Sequence, residues 1–244
     1  MKAIILAAGM GLRLQPMTKR IPKCLITVNG KTILERIVQN CVTYNITDFI
    51  IVIGHARERI CKFVPNLRTK YQVNFDLIEN PDYKKTNTAV SLELALSKID
   101  EDVLIINGDN VFDKRMLMTL FKYSETAILI DNIKDLNDES FKVKTDGYII
   151  EQMGKNIEKE KANGEFIGIS KINKRDLKLF KYVLEELIHV NPKQYYDFAF
   201  IPLSINGLVS FAFTNKLKWT EIDTGFDLIF AQKLAKEIDN QQIS

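Results

Sequence analysis

The sequence predicts an α/β fold, with a mostly parallel, mixed sheet flanked by helices and a smaller lobe of different texture behind it. Three observations carry that expectation. Unbroken apolar runs at residues 3–7, 49–53 and 103–106 have the length and composition of strands buried on both faces. Each is followed within two residues by a glycine (Gly9, Gly54, Gly108), and helical spacing fills the stretches between. Beyond about residue 135 the pattern changes to a hairpin signal, Thr145-Asp146-Gly147 between two short apolar segments.

The elements follow in order. Thr32 stands where it can cap a helix running to about residue 44, with Ile33, Leu34, Ile37, Val38, Cys41 and Val42 on one face. His55 directly follows the strand at 49–53, as a loop residue or as a group facing a site. Residues 56–64 read as a short basic helix, and the partial alternation over 72–78 as a strand near the sheet edge. A polar loop, 79–88, precedes a helix from about 89 to 98. The strand at 103–106 ends in Asn107-Gly108-Asp109-Asn110, so Asp109 falls at the carboxyl edge of the sheet, where α/β proteins bind ligands. A helix over 113–123 and a strand over 127–130 come next. The mixed-charge run 155–161 reads as a solvated loop, 164–169 as a strand, and 175–190 as an amphipathic helix with His189 at the surface. A strand over 217–222 delivers Asp223, and Thr224 with Gly225 opens a final helix to residue 244.

Composition narrows the function classes. A net charge of +3 over 244 residues is too small for a nucleic-acid footprint. No apolar run approaches a membrane span, and the first apolar residues lack a secretory n-region and cleavage site, so a cytoplasmic protein is expected. The three cysteines, Cys24, Cys41 and Cys61, lack metal-type spacing and read as reduced thiols, Cys24 as a small filler in its loop. There is no repeat and no linker rich in Gly or Ser.

The stretch with the most chemistry is Leu6-Ala7-Ala8-Gly9-Met10-Gly11-Leu12-Arg13-Leu14 with Pro22-Lys23-Cys24-Leu25 behind it. Small residues let backbone N–H groups approach a phosphate chain, and two cations neutralise what those groups cannot. A dinucleotide fingerprint fails because its third glycine is Leu14, and a Walker loop fails because Gly11 is followed by Leu12-Arg13. A plain strand-to-helix turn has no use for both Arg13 and Lys23.

With Pro16 and Thr18, this stretch resembles the signature of the nucleoside-diphospho-sugar pyrophosphorylase superfamily, roughly L-A-A-G-x-G-x-R-L-x-P-x-T-x-x-x-P-K-x-L. The resemblance implies a Rossmann-like nucleotidyltransferase fold spanning the chain as one domain: a nucleotide-binding half at about 1–135, an acceptor-binding lobe at about 136–223 and a C-terminal helix at 224–244. It implies that Leu6, Ala7, Ala8, Gly9, Met10, Gly11 and Gly108 hold the nucleotide, with Asn80, Asn87, Thr88 and Ser91 toward the base and ribose. Asn87 in place of the sugar branch's glycine, followed by Ser91-Leu92, is closer to the bacterial phosphocholine cytidylyltransferase branch. Asn87 and Thr88 also read as a simple helix cap.

The same resemblance gives Asp109 and Asp223 as ligands of Mg²⁺ and, with Lys23 and Arg13, as the catalytic set. Gly168, Tyr195, Tyr196, Trp219 and Glu221 fall on the acceptor side. Aromatic residues beside carboxylates suit a cationic head group, although Trp219 and the tyrosines read equally as packing. The implied partners are a nucleoside triphosphate, CTP by resemblance, and a small acceptor such as phosphocholine, 2-aminoethylphosphonate or a phosphorylated amino acid. A sugar-1-phosphate enzyme using UTP or dTTP, and a non-catalytic nucleotide-binding subunit, are the alternatives. A homodimer is compatible with all of these readings.

Overall fold

The computed structural model describes residues 1–241. Strand β1 (Lys2–Ala7) opens the chain, and a small hairpin of β2 (Thr27–Val28) and β3 (Lys31–Thr32) leads into α1 (Ile33–Val42). Thr32 caps α1 as its position predicts, accepting from the amide of Glu35 at 3.1 Å. Then come β4 (Asp48–Ile53), α2 (Arg57–Tyr71), β5 (Asn74–Glu79), α3 (Thr88–Leu96), β6 (Val103–Asn107), β7 (Asn110–Phe112), α4 (Arg115–Phe121) and β8 (Thr126–Asp131). The hairpin β9 (Lys142–Asp146) and β10 (Ile149–Gly154) precedes β11 (Gly164–Ile172), α5 (Lys174–Val190), α6 (Phe200–Ile205), β12 (Val209–Phe213), β13 (Trp219–Glu221) and α7 (Gly225–Gln241).

The main sheet runs β10-β9-β11-β6-β1-β4-β5, with β8 pairing both β11 and β12. Its centre, β6-β1-β4-β5, is parallel, and β11 joins β6 antiparallel. Alternate residues of β1 enter different cores: Ala3, Ile5 and Ala7 face one, and Ile4 and Leu6, with Ala8 just beyond the strand, the other. Burial on both faces is why this run is continuously apolar rather than alternating. From β1 the chain moves to β4 and β5 on one side and then crosses to β6 on the other. The crevice between the carboxyl ends of β1 and β6 is therefore a topological switch point.

Helix α2 runs to Tyr71 through Pro65, past the expected end at 64. Proline removes one helical donor, yet Ile60, Val64 and Leu67 continue a buried stripe across it. The strand expected at 217–222 is shorter, and β13 pairs with β7 outside the main sheet. The final helix is described to Gln241; the last residues of its expected span, 242–244, lie outside the described residues. Among the described residues no helix is long and apolar enough to cross a membrane.

Two glycines test this packing. A Cβ at Gly108 would stand 2.6 Å from the Leu6 carbonyl, whereas one at Gly9 meets nothing within 4 Å. Gly108→Ala is expected to cost about 1–3 kcal/mol through forced backbone shifts, and Gly9→Ala less than about 0.5 kcal/mol. Denaturant midpoints of the two variants check this; equal midpoints would contradict it.

Candidate active site

The loop after β1 is held by its own polar atoms. Gly11 adopts a left-handed conformation at φ 59°, and Thr18 donates its hydroxyl to the Gly11 carbonyl at 2.7 Å. His55 Nε2 donates to the Thr18 carbonyl at 2.7 Å, and the His55 amide to the Ala8 carbonyl at 3.1 Å. His55 thus serves as a brace between the ends of β4 and β1.

This loop forms one wall of a cleft of about 280 Å³ lined by Leu6, Ala7, Ala8, Gly9 and Gly11. Met10, half-buried between the two glycines, is not among the lining residues. Cys24 also lines the cleft; burial pushes its thiol up to about 12, which suits a filler rather than a nucleophile.

Four residues far apart in sequence meet in the cleft. Lys23 Nζ lies 2.8 Å from Asp109 Oδ2 and 2.7 Å from Asp223 Oδ1. Arg13 Nη2 lies 2.7 Å from Asp223 Oδ2. Asp109 comes from the turn after β6, Asp223 from just beyond β13, and the two cations from the loop after β1. Burial opposes the charge of Lys23, but Asp109 and Asp223 overcome it and hold the ammonium above the usual lysine range. Burial likewise acts against ionised Asp223, and Lys23 followed by Arg13 outweighs it, leaving the carboxyl below its usual range. Arg13 has a second partner, Glu139, which also takes Lys155. Lys155 and Glu139 both line the cleft. Lys155 heads the run expected to be solvated; its charge turns inward because β10 ends at the cleft rim.

The wall expected to hold the base is built by α3 and the loop before it. Asn80 is buried and donates to Ser91 Oγ at 3.0 Å and to Thr86 Oγ1 at 3.1 Å. Asn87 caps α3, accepting from the Thr88 amide at 2.8 Å, and lines the cleft as well. Thr88 Oγ1 accepts from the Tyr196 amide at 3.2 Å, joining this wall to the acceptor side. Tyr83 packs under Gly54, where an added Cβ would stand 2.9 Å from its ring. No motif in the sequence pointed to Tyr83.

The cleft is also lined by Gly168, Tyr195 and Glu221, together with Phe141, Phe166 and Asp197. Phe141 meets Tyr195 edge-on with ring centroids 5.4 Å apart, and Phe198 at 5.7 Å. Burial pushes Asp197 up to about 7, and it pushes Glu221 well above the carboxylate range with help from Asp109 and Asp223.

Two residues expected on the acceptor side are elsewhere. Tyr196 is fully buried between Phe166 and Phe200, since the tight turn Tyr196–Ala199 sends it inward while Tyr195 faces the cleft. Trp219 is 6% exposed and donates Nε1 to Asp131 Oδ2 at 2.7 Å. It sits four residues before Asp223, about 13 Å along an extended chain, and packs in the core. Phe141 and Phe166 line the cleft in their place; Phe166 shares the strand of Gly168, which the resemblance put on the acceptor side, whereas Phe141 carries no signal of its own in the sequence.

The donor set fits a hard divalent cation. Asp109 and Asp223 converge on one point, marked by Lys23 Nζ, and Asp109 Oδ1 is buried without a hydrogen-bond partner. Among the described residues no group of three or more His, Cys, Asp and Glu stands ready to hold a metal. Such an ion would draw its remaining oxygens from water and phosphate, as magnesium commonly does.

Comparison with known proteins places the chain in a family. The chain is 34% identical over 155 residues to choline-phosphate cytidylyltransferase of Streptococcus pneumoniae, covering 63% of each sequence. It is 32% identical over 120 residues to 2-aminoethylphosphonate cytidylyltransferase of Lancefieldella rimae, covering 46% of this chain and 47% of that one. The chain therefore spans less than two thirds of the length of these curated relatives. The solved structure of CTP:phosphocholine cytidylyltransferase from Streptococcus pneumoniae matches 95% of this chain and 97% of that one, with a TM-score of 0.76 at 26% identity. The sequence model of the family described as nucleotidyl transferase matches residues 2–141, more than half of the chain, and the protein belongs to that family.

Proposed function

We propose that the protein is a Mg²⁺-dependent cytidylyltransferase that joins CMP to a small zwitterion bearing a phosphate or phosphonate and releases pyrophosphate. The observation that carries this reading is the mixed lining of the cleft: Arg13, Lys23 and Lys155 share it with Asp197, Phe141, Phe166 and Tyr195. The three cations suit a triphosphate and an acceptor phosphate. The aromatic rings and the Asp197 carboxylate suit a cationic head group, through cation–π contact and Coulomb attraction. The names of the two cytidylyltransferase relatives and of the phosphocholine cytidylyltransferase structure support CTP and an acceptor of this kind, while a glucose-1-phosphate thymidylyltransferase is also among the similar structures.

In this reading an acceptor oxygen attacks the α-phosphorus and forms a new P–O bond. The bond from that phosphorus to the oxygen bridging the β-phosphate breaks, and pyrophosphate leaves with the electron pair. The acceptor oxygen is already ionised near neutral pH, so no general base is needed. Lys23 exchanges part of its carboxylate contact for the α-phosphate and stabilises the charge that builds there. Arg13 holds the β- and γ-phosphates and the departing pyrophosphate. Lys155 faces the acceptor phosphate from the other rim. Asp109 and Asp223 would hold Mg²⁺, whose charge would offset the repulsion between the two anions. Positioning of this kind supplies the larger share of the barrier reduction, on the order of 7–11 kcal/mol.

Pyrophosphate release tests the reading directly, with CTP, UTP, dTTP, ATP and GTP crossed against phosphocholine, 2-aminoethylphosphonate, phosphorylated amino acids and sugar-1-phosphates. Release with CTP and a zwitterionic acceptor is expected. Release only with UTP or dTTP and a sugar-1-phosphate would overturn the acceptor assignment while keeping the transfer chemistry. Asp109→Asn is expected to lower kcat by about 10²–10³, the usual effect of losing one charge-stabilising group.

Asp197 gives a pH test. Its raised value, about 7, means that the carboxylate is charged above that pH and neutral below it. The KM for a zwitterionic acceptor should rise by roughly tenfold from pH 8 to pH 6, one decade of lost carboxylate. Asp197→Asn should flatten that rise, and a variant with an unchanged profile would remove Asp197 from the cation site.

A further inference from the structure

Glu139 occupies an unusual place for an acidic residue. It stands on the segment between β8 and β9, yet its Oε2 lies 2.7 Å from Arg13 Nη1 and 2.9 Å from Lys155 Nζ. One carboxylate oxygen therefore bridges two cations brought from opposite rims of the cleft. The backbone beneath it is fixed. Asn137 Oδ1 accepts from the amides of Glu139 at 2.8 Å and Ser140 at 3.0 Å, and Ser140 Oγ accepts from the Asn137 amide at 3.1 Å. The Lys142 ammonium, almost wholly buried, donates to the Lys155 carbonyl at 2.7 Å and so fixes the other rim. The Glu139 side chain itself is 63% exposed, so it is free to rotate away while both backbones stay in place.

We infer that Glu139 is an internal counter-anion that closes the phosphate site in the resting protein and must be displaced by the incoming polyphosphate. The inference rests on the reading of Arg13 as a ligand of the β- and γ-phosphates. A triphosphate on Arg13 would face the Glu139 carboxylate at close range, and like charges there are unfavourable. Rotation of Glu139 relieves the repulsion and frees Lys155 at the same time. Lys155 then faces the acceptor phosphate with its charge unpaired. Nucleotide binding thereby prepares the acceptor site, and an acceptor arriving first meets a cation already engaged. The contact favours one order of binding with no movement of the main chain. Asp223, which holds the other terminal nitrogen of Arg13 at 2.7 Å, keeps the guanidinium in place while Glu139 leaves.

Calorimetric titration of tripolyphosphate, and separately of CTP, into the full chain without divalent metal tests the inference. Glu139→Gln keeps the size of the side chain and removes its charge. It is expected to tighten the Kd for tripolyphosphate by about threefold to tenfold, a range set by the modest strength of exposed ion pairs. Glu139→Asp keeps the charge on a shorter arm and should fall between the two. In steady-state kinetics the Gln variant should shift the acceptor from obligatory second substrate toward random addition. An unchanged or weaker Kd for tripolyphosphate in Glu139→Gln overturns the inference. If that occurs while CTP turnover persists, the transfer reading survives alone. If tripolyphosphate tightens and no nucleotide is turned over, the counter-anion stands and the transfer reading falls.

Discussion

The Lys23 ammonium, shared between Asp109 and Asp223, is the interaction on which the rest of the cleft depends. Its three members come from the loop after β1, the turn after β6 and the segment after β13, separated by 86 and 200 residues from the lysine. The sheet makes the meeting possible. β1 and β6 are adjacent and parallel, so their carboxyl ends open side by side, and β7 turns back to pair with β13 and brings Asp223 to the same edge. The three side chains are 16–25% exposed, so the cluster is neither a surface ion pair nor a sealed one. Such a cluster is held strongly enough to fix geometry and weakly enough to trade partners. The proposed transfer, in which the site accepts phosphate and later releases pyrophosphate, has use for both properties.

The cleft also combines charge with aromatic surface. Arg13, Lys23 and Lys155 line it together with Phe141, Phe166 and Tyr195, and Asp197, whose Oδ1 is buried without a partner, lines it too. Two of its walls are joined structurally: the backbone of residues 192–196 bonds to the first turn of α3 through Asn87, Thr88 and Ala89. The segment that carries Tyr195 is thus positioned by the start of α3. A ligand that bears both an anion and a cation matches this lining better than a sugar phosphate, which bears no cation.

Much of the architecture was legible because burial leaves a direct trace in sequence. β1, β4 and β6 are buried on both faces and read as unbroken apolar runs, and the loop glycines mark where their backbones crowd, as Gly108 does against Leu6. Arg13, Lys23, Asp109 and Asp223 were legible as a set through motif resemblance, and the structure brings them together. The acceptor wall was harder to read. Whether an aromatic residue lines a cleft or fills a core depends on the turn that carries it, and one step of a tight turn separates half-buried, cleft-lining Tyr195 from fully buried Tyr196. Trp219 shares a strand with Glu221, yet its indole is taken by Asp131. Lys155 and Glu139 sit in charged, turn-rich stretches, where composition alone says solvent. Their ion pair closes the base of the β9–β10 hairpin, and the contact of Glu139 with Arg13 forms only when that hairpin folds beside the loop after β1.

The central claim is that Lys23 and Asp223 act as one unit rather than as independent contributors. The most direct test is a double-mutant cycle on kcat/KM for nucleotidyl transfer, using Lys23→Met, Asp223→Asn and the pair. If the two act together, the double variant loses little more than the worse single variant, with a coupling of at least about 1.4 kcal/mol, a factor of ten. Losses that simply multiply would show that each residue contributes alone, and would contradict the account.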